Sequence, residues 1–285
     1  MLTIKQAAQR TGLSVHTLRA WERRYGVFAP ARSEAGYRVY DDAVIARISS
    51  MQELVASGWS PRRAAAEVGR RAPTSTAAGD DQFGGLVAAV AALDQTAVAR
   101  ILDARFAESE FEQMVDAWLL PAMARLGQEW ASGRISVAEE HFVSNMVMRR
   151  LAGAYEAANS ALDGVAVLVG APAGLDHELG LMAFAVAARR VGVRTVYLGA
   201  QVPMDAWRLA AEKSGAMHAV TAVHRRRDVD RVVRLAATLA EPPQVVTWVG
   251  GSQQHRAGSP CHPLGHSIAE AAKLIRAQLG APNAP

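Results

Sequence analysis

Residues 165–200 read VAVLVGAPAGLDHELGLMAFAVAARRVGVRTVYLGA and contain two β-rich runs separated by a segment of helical length. The runs VAVLVGA and RTVYLGA are rich in β-branched residues, which favour strands. A strand, a helix and a second strand in this order form a βαβ unit with parallel strands. Two further runs, HAVTAV and QVVTWVGG, follow within residues 218–251. The alternation predicts a Rossmann-like parallel sheet, wound on both faces by helices, over residues 161–285.

A helical segment precedes this sheet. In residues 82–160 the apolar side chains recur every three or four positions, as in Leu86, Val90 and Leu93. This is the spacing of one face of a helix, and it predicts a central four-helix bundle. Residues 71–81 lie within GRRAPTSTAAGDD, whose Gly, Pro, Ser, Thr and Asp content predicts an exposed linker.

Residues 1–70 have the pattern of a winged helix-turn-helix. Thr3 begins a capping box, Gly12 supplies a turn, and Ser14 begins a second helix. The segment PARSEAGYRVYDD then has a turn between two short extended arms, which is the form of a wing. We therefore expect a multidomain α and α/β protein with three structural parts.

Polar side chains that can contact DNA lie on the second helix and in the wing. Arginine can donate hydrogen bonds both to base edges and to phosphates. Basic residues outnumber acidic ones in this region, which suits a negatively charged partner. The candidate DNA-binding residues are Thr17, Arg19, Arg23 and Arg24 on the helix, and Arg32, Tyr37, Arg38 and Tyr40 in the wing.

The composition limits what else the chain can do. Its 285 residues carry a formal charge of +4 and one cysteine, Cys261. One cysteine cannot form an internal disulfide or a multi-thiolate zinc site, and we expect no zinc at Cys261, His262 and His266. The sequence has no long apolar run and no apolar signal segment, so we expect a cytoplasmic protein that does not enter a membrane.

A candidate ligand-binding group lies in WASGRISVAEEH, residues 130–141. The four residues SVAE have the order of a capping box, which gives their glutamate a structural role. Glu140 and His141 have no such role. Together with Trp130 they are expected to converge at one end of the bundle, although a core tryptophan beside two surface polar residues is the alternative interpretation.

His177 is a candidate metal ligand. It lies in the loop APAGLDHELG after the first predicted strand, and open α/β sheets bind ligands at the carboxyl ends of their strands. Imidazole binds transition metals well, and one protein ligand is enough when a macrocycle supplies four others. A structural histidine is the alternative. Thr221 ends the third strand, and Gly250 and Gly251 end the fourth, where missing side chains allow a ligand to approach closely.

The first 70 residues resemble the MerR family of dimeric regulators. The resemblance rests on TIKQAAQRTGLSVHTLRAWERRYG, followed by PARSEAGYRVY. It implies that the helix with Arg19, Arg23 and Arg24 enters the major groove of double-stranded operator DNA. The wing residues would then support contacts with the DNA backbone.

The rest of the chain resembles B12-binding modules. The segments HELG at 177–180, TAV at 221–223 and GG at 250–251 occur in the order of B12-binding domains, and the bundle is similar to that of the CarH and LitR light-responsive regulators. The resemblance implies that adenosylcobalamin is the cofactor and that His177 is the lower axial ligand of cobalt. The implied cofactor contacts are Gly180, Thr221, Gly250 and Gly251 in the sheet, and Trp130, Glu140 and His141 around the adenosyl group, with His141 a candidate cobalt ligand after photolysis.

Two positions depart from the family pattern. The family usually has an acidic residue two positions before the histidine, where it can accept the imidazole N–H. This chain has Leu175 there. The alternatives are that the adjacent Asp176 or a backbone carbonyl substitutes for the acid, or that the lower ligand is weaker. Thr221 and Val223 replace the usual serine and leucine, which preserves a hydroxyl and an apolar contact.

The resemblance implies a light-responsive repressor and not an enzyme. It would bind DNA in darkness as a dimer or tetramer loaded with adenosylcobalamin, and release DNA on photolysis. Two alternatives stay open: a regulator that senses cobalamin or another tetrapyrrole without light, and a cobalamin-dependent methyl carrier. The DNA-binding pattern and the lack of a substrate barrel favour the regulator.

Overall fold

The computed structural model describes residues 2–28, 31–32, 38–40, 42–56, 59–71, 78–108, 110–158, 164–242 and 244–280. The chain divides into two compact units, which we call the head (Met1–Thr76) and the body (Ala77–Pro285). Among the described residues, no helix has the length and apolar character needed to cross a membrane.

The head has the winged helix-turn-helix fold that the sequence predicts. Thr3 and Gln6 form the expected capping box, and the hydroxyl of Ser14 accepts a hydrogen bond of 3.0 Å from the backbone N–H of Thr17. Gly12 adopts the left-handed conformation that turns the chain between the two helices. The elements of the head are α1 (Ile4–Thr11), α2 (Val15–Tyr25), β1 (Ala31–Arg32), β2 (Arg38–Val39), α3 (Asp42–Ala56) and α4 (Pro61–Arg71).

The helical bundle of the body contains the four predicted helices. They are α5 (Ala78–Ala91), α6 (Gln95–Glu108), a continuous helix formed by α7 (Phe111–Met114), a π-helical turn (Val115–Leu119) and α8 (Leu120–Ala131), and finally α9 (Val137–Ala157). Helix α5 begins inside the stretch predicted to be a linker. That stretch contains Asp80 and Asp81. Aspartates are common in loops, but acidic residues also suit the first turn of a helix.

The sheet of the body is entirely parallel and confirms the predicted fold class. Its strand order is β4-β3-β5-β6-β7, which is a doubly wound arrangement. The elements are β3 (Val167–Pro172), α10 (Leu179–Arg190), β4 (Thr195–Val202), α11 (Met204–Ser214), β5 (His218–Ala222), α12 (Val229–Ala240), β6 (Val246–Gly250), β7 (Cys261–Pro263) and α13 (Ile268–Gly280).

The short edge strand β7 was not expected from the sequence. Its three residues end in a proline, which is tolerated at a sheet edge because no ladder hydrogen bond is needed there. Cys261 pairs with Thr247, and His262 pairs with Trp248. Consecutive strand residues point to opposite faces, so the side chains of Cys261 and His262 do not converge on one metal ion.

Polar contacts join the bundle to the sheet within the body. Asp116, in the π-helical turn, accepts hydrogen bonds of 2.8 Å from the hydroxyl of Ser267 and from the backbone N–H of Ile268 at the start of α13. On α9, the hydroxyl of Tyr155 donates to the carbonyl of Thr195 on β4 at 3.1 Å. One hydrophobic core continues from the bundle into the sheet, so these parts pack as a single unit.

Candidate functional site

The loops after β3 and β5 lie side by side at the carboxyl edge of the sheet. These strands are neighbours, and β4 lies on one side of the pair while β6 lies on the other. This is the topological switch point, where open α/β sheets form their ligand-binding crevice. The loop after β3 carries His177 and the loop after β5 carries His224. Their ring centroids are 5.5 Å apart with an interplanar angle of 73°, so the two imidazoles meet edge to face.

Both neighbours of His177 in the chain are anchored to β4. The side-chain amide of Gln201 donates to Asp176, and its carbonyl oxygen accepts from the backbone N–H of Gly174 at 2.7 Å. The hydroxyl of Tyr197 donates to Glu178 at 3.0 Å. These contacts fix the backbone on both sides of His177, so the imidazole is presented from a constrained loop.

Gln201 itself has an unusual backbone conformation, with φ of 58°. Left-handed conformations of non-glycine residues cost on the order of 1–3 kcal/mol and persist where the surrounding structure requires them. Here the side chain of Gln201 makes the two contacts that hold the His177 loop. The strain is therefore located at the residue that positions this loop.

The environment lowers the pKa of both imidazoles and so favours their neutral forms. Burial is the main cause that lowers the pKa of His177, and the positive charge of Arg225 lowers it further, while Asp176, Asp228 and Glu140 oppose the shift. Although the His224 side chain reaches solvent, loss of hydration is the main cause that lowers its pKa to about 4, with His177 and Arg225 contributing. A neutral imidazole keeps one nitrogen lone pair available to a metal or a donor.

The predicted group at the end of the bundle is partly assembled. The expected capping box at the start of α9 is present between Ser136 and Glu139. One oxygen of Glu140 accepts from the hydroxyl of Ser144 at 2.7 Å, and the other lies 3.2 Å from Nδ1 of His141. The charge of Glu140 is the last of three acidic charges that oppose the lowering of the His177 pKa.

Trp130 lies at the same end of the bundle as Glu140. It is in the last turn of α8, and only a short loop separates it from the start of α9. Its side chain is not a core residue, because 42% of its surface is exposed. The exposed indole leaves a large aromatic surface available to a bound molecule.

Three predicted contact residues in the sheet leave room or hydrogen-bonding capacity for a ligand. Thr221 is fully buried, and in the described residues its hydroxyl has no hydrogen-bond partner. A Cβ placed on Gly180 would meet no atom within 4 Å, and one on Gly250 would make only an ordinary contact of 3.9 Å with the carbonyl of Thr221. Gly180 therefore borders open space at the start of α10.

Gly251 has a structural reason of its own to be glycine. It has φ of 89°, and a Cβ there would lie 2.4 Å from the carbonyl oxygen of Val223. Gly251→Ala is expected to lower the free energy of unfolding by roughly 1–3 kcal/mol more than Gly265→Ala. Gly265 is the matched control, because it has φ of 85° and no atom within 4 Å of such a Cβ. Urea denaturation of both variants measures the difference, and equal losses would contradict the close approach.

A surface cleft of about 660 Å³ lies at the other end of α10. It is lined in part by Glu112 and Arg190, whose side chains bond to each other at 2.7 Å. Because α10 has 12 residues, this cleft is about 18 Å from the His177 loop. Its main charges are paired within the protein, whereas the crevice at His177 contains unpaired acceptors. We therefore place the candidate site at the crevice.

The donors at the crevice fit a corrinoid. His177 offers a neutral imidazole that makes no hydrogen bond with any described residue, and a corrinoid needs one axial nitrogen from the protein. The unpartnered hydroxyl of Thr221 can bond a polar group of such a ligand, and Gly180 leaves space. Leu175 is buried in the core, and one carboxylate oxygen of Asp176 accepts a hydrogen bond from Gln201, so neither side chain bonds to the His177 ring.

The head presents part of the predicted DNA-binding surface. Arg19, Arg23 and Arg24 are exposed on α2 and make no hydrogen bond or ion pair with any other described residue. Thr17 is half-buried, and its hydroxyl lies 2.8 Å from that of Ser14. Arg38 on β2 bonds to Glu22 on α2 at 2.9 Å, which ties the wing to the helix.

The prediction for Tyr40 is corrected by the structure. Its side chain is 0% exposed and lies in the core of the head, because its backbone bridges that of Leu2 through two hydrogen bonds of 2.8 Å. Tyr40 therefore supports the wing from inside and does not face DNA. The backbone of Arg32 lies in β1, and Tyr37 lies outside the described residues.

Sequence reasoning did not find His224, Arg225 or Gln201. The residues after the third predicted strand were visible as a loop, but nothing local shows that this strand lies beside the first. Had the strand order been known, the histidine directly after TAV would have been a candidate for the same crevice.

Comparisons with known proteins agree with this division. Residues 2–67 match the MerR HTH family regulatory protein family, and residues 83–153 match the B12 binding domain family. The chain is 34% identical over 278 residues to the HTH-type transcriptional repressor CarH of Myxococcus xanthus, which covers 92% of each chain. It is 34% identical over 207 residues to the HTH-type transcriptional repressor CarA of the same organism, covering 72% of this chain and 70% of CarA.

A solved structure supports the fold of the body. The monomethylamine corrinoid protein of Methanosarcina barkeri aligns with a TM-score of 0.51 over 70% of this chain and 98% of that protein. The sequence identity is 18%, so the likeness concerns the fold alone.

Proposed function

Because this chain belongs to the family of the HTH-type transcriptional repressors CarH and CarA, we propose that it is a repressor whose DNA binding depends on adenosylcobalamin and is switched by light. The family matches support the coarser statement directly: a DNA-binding regulator with a B12-binding domain. The adenosyl form of the cofactor, the response to light and the assembly of several copies are the further steps of the proposal.

One observation carries the proposal that bundle and sheet hold the cofactor between them. Glu140 of the bundle is near enough to His177 of the sheet for its charge to influence the pKa of His177. In this proposal the cofactor lies between the start of α9 and the β3 loop, with the imidazole of His177 on one side and the carboxylate of Glu140 on the other. The exposed ring of Trp130, at the same end of the bundle as Glu140, would add an apolar surface.

Each residue of the crevice then has a proposed role. His177 would hold the cobalt through an imidazole nitrogen, and Gly180, Thr221 and Gly250 would provide space and a hydroxyl beside the ligand. Trp130, Glu140 and His141 cover its upper side. Bound adenosylcobalamin would supply a cobalt–carbon bond that light can break. His141, whose side chain is 70% exposed, would offer an imidazole to the cobalt after illumination.

The proposed output is a change in the assembly of copies. Trp130 and the first turn of α9 would take different positions depending on whether the space above His177 is filled, and surfaces between copies would change with them. Several DNA-binding heads held together gain roughly 10² to 10⁴ in apparent affinity without new contacts. Separation of the copies therefore releases DNA without any change in the residues that read it.

The exposed arginines of α2 are proposed to contact the operator. Arg23→Ala is expected to weaken operator binding by roughly 1–3 kcal/mol and relax base preference if Arg23 reads a base, or to reduce the salt dependence by about one charge if it binds a phosphate. Fluorescence anisotropy over a series of salt concentrations separates these cases. Arg149→Ala is the control, because Arg149 is an exposed arginine on α9 of the body. Equal affinities of the two variants would remove Arg23 from the interface.

An absorption spectrum tests the proposal as a whole. The protein is incubated with adenosylcobalamin in darkness, desalted, and measured before and after green illumination. A retained corrinoid spectrum that changes irreversibly and differs from photolysis of the free cofactor supports the light switch. If the protein retains cobalamin but shows no protein-specific spectral change, the alternative of a cobalamin sensor without a light switch is favoured. If it retains no cobalamin, cobalamin binding is contradicted.

A further inference from the structure

His177 lacks the usual orienting partner of a metal-bound imidazole. Such a ring generally donates its second N–H to a carboxylate, a backbone carbonyl or water, which fixes the tautomer and the ring orientation. Within the described parts of the chain, the His177 ring makes no hydrogen bond, and its ring contact is with His224. Leu175 has no acceptor in its side chain, and Asp176 accepts a hydrogen bond from Gln201 but makes none with the His177 ring.

His224 is held in place through its backbone. The N–H of Val223 donates to the carbonyl of Gly250 at 3.0 Å, and the carbonyl of Val223 accepts from the N–H of Gln253 at 3.0 Å. The carbonyl of His224 itself accepts from the hydroxyl of Ser252 at 3.1 Å. The loop after β6 therefore fixes the position from which the His224 ring projects.

The geometry of the two rings suits a hydrogen bond between them. Two imidazoles joined by an N–H···N bond of about 2.9 Å have ring centroids roughly 5 Å apart. The observed separation of 5.5 Å, with the rings edge to face, is close to that value. One nitrogen of an imidazole can donate an N–H while the other accepts, so one ring can donate to the other.

We propose that His224 orients the axial imidazole of His177 by accepting the N–H of its non-ligating nitrogen. His224 is thus a positioning residue of the cobalamin site and takes the place of the acidic residue that Leu175 replaces. This inference rests on the proposed function, since it requires His177 to be the lower axial ligand.

Three substitutions in the full-length protein test this role. His224→Ala removes the ring, His224→Phe keeps a flat ring without an acceptor, and His224→Gln keeps an acceptor oxygen. Affinity for adenosylcobalamin is measured in darkness by equilibrium dialysis. The alanine and phenylalanine variants are expected to bind 10–100-fold more weakly, which is the usual effect of losing an outer-shell partner, and the glutamine variant is expected to recover most of the affinity.

A spectroscopic measurement separates positioning from ligation. With cob(II)alamin bound, electron paramagnetic resonance shows a splitting from an axial nitrogen. The splitting is expected to persist in His224→Ala and to disappear in His177→Ala. The opposite pattern would make His224 the ligand and overturn the inference.

The remaining outcomes are also decisive. If the unaltered protein retains no cobalamin, the proposed function and this inference fail together. If it binds cobalamin through His177 and His224→Ala binds equally well, only this inference fails. Recovery by phenylalanine as complete as by glutamine would show that packing alone is needed. Thermal melting in circular dichroism verifies folding, and if the alanine variant is unfolded, the comparison of phenylalanine with glutamine decides.

Discussion

Illumination of the protein loaded with adenosylcobalamin is expected to lower its apparent affinity for operator DNA by roughly 10² to 10⁴-fold. We expect this loss because separated copies no longer hold several DNA-binding heads together. The exposed arginines of α2 are themselves unchanged by light. A shift of the assembly from about 99:1 to 1:99 requires around 5.5 kcal/mol of differential stabilisation, which one large buried ligand group can supply. Anisotropy titrations in darkness and after green light, at one fixed salt concentration, measure the ratio of affinities.

The variant Trp130→Ala tests the structural origin of that ratio. It is expected to retain cobalamin, because His177 is intact, while the ratio of dark to light affinities falls toward one. Leu209→Ala is the matched control, since Leu209 is also a large apolar residue of the body, 50% exposed. A ratio unaltered by Trp130→Ala would show that the tryptophan does not couple the upper side of the site to assembly.

The variant His177→Ala is expected to weaken adenosylcobalamin binding by on the order of 100-fold or more, because loss of an outer-shell partner alone costs 10–100-fold. Removal of the imidazole would leave cobalt without its lower axial nitrogen. Among the described residues, His224 is the histidine whose ring contacts that of His177, with 5.5 Å between the ring centroids. Equilibrium dialysis in darkness gives the affinity, and the visible spectrum reports the loss of axial ligation.

His262→Ala is the control for this experiment. His262 is exposed and lies in the body on the edge strand β7, which β5 and β6 separate from β3. It is expected to bind cobalamin like the unaltered protein. If His177→Ala had the same affinity and the same spectrum as this control, ligation by His177 would be wrong.

Local patterns in the sequence predicted the secondary structure around the site well. The capping boxes at Thr3 and Ser136 are confirmed because their contacts join residues three positions apart. The four long strands and the helices between them are confirmed because strand and helix periods are visible in short windows. The predicted linker extended to residue 81, whereas α5 begins at Ala78. The two differ because aspartate and glycine suit both linkers and the first turn of a helix.

Non-local contacts explain what the sequence could not show. Tyr40 is buried because it bridges Leu2 across the head, and a tyrosine in a wing looks the same in sequence whether it faces solvent or the core. The short strand β7 forms only because β6 offers an edge to pair with. Gly251 is needed at its position because the backbone of Val223 passes beside it.

By itself, the sequence determined the helix-turn-helix, the bundle, the parallel strands and the candidacy of His177, since each follows from residue type and spacing along the chain. Only the tertiary structure decided which loops share the crevice. The order β4-β3-β5-β6-β7 places the ends of β3 and β5 side by side. The ring centroids of His177 and His224, which are far apart in the sequence, are therefore 5.5 Å apart. Strand order depends on how helices cross and pack over the sheet, and no short window of sequence contains that information.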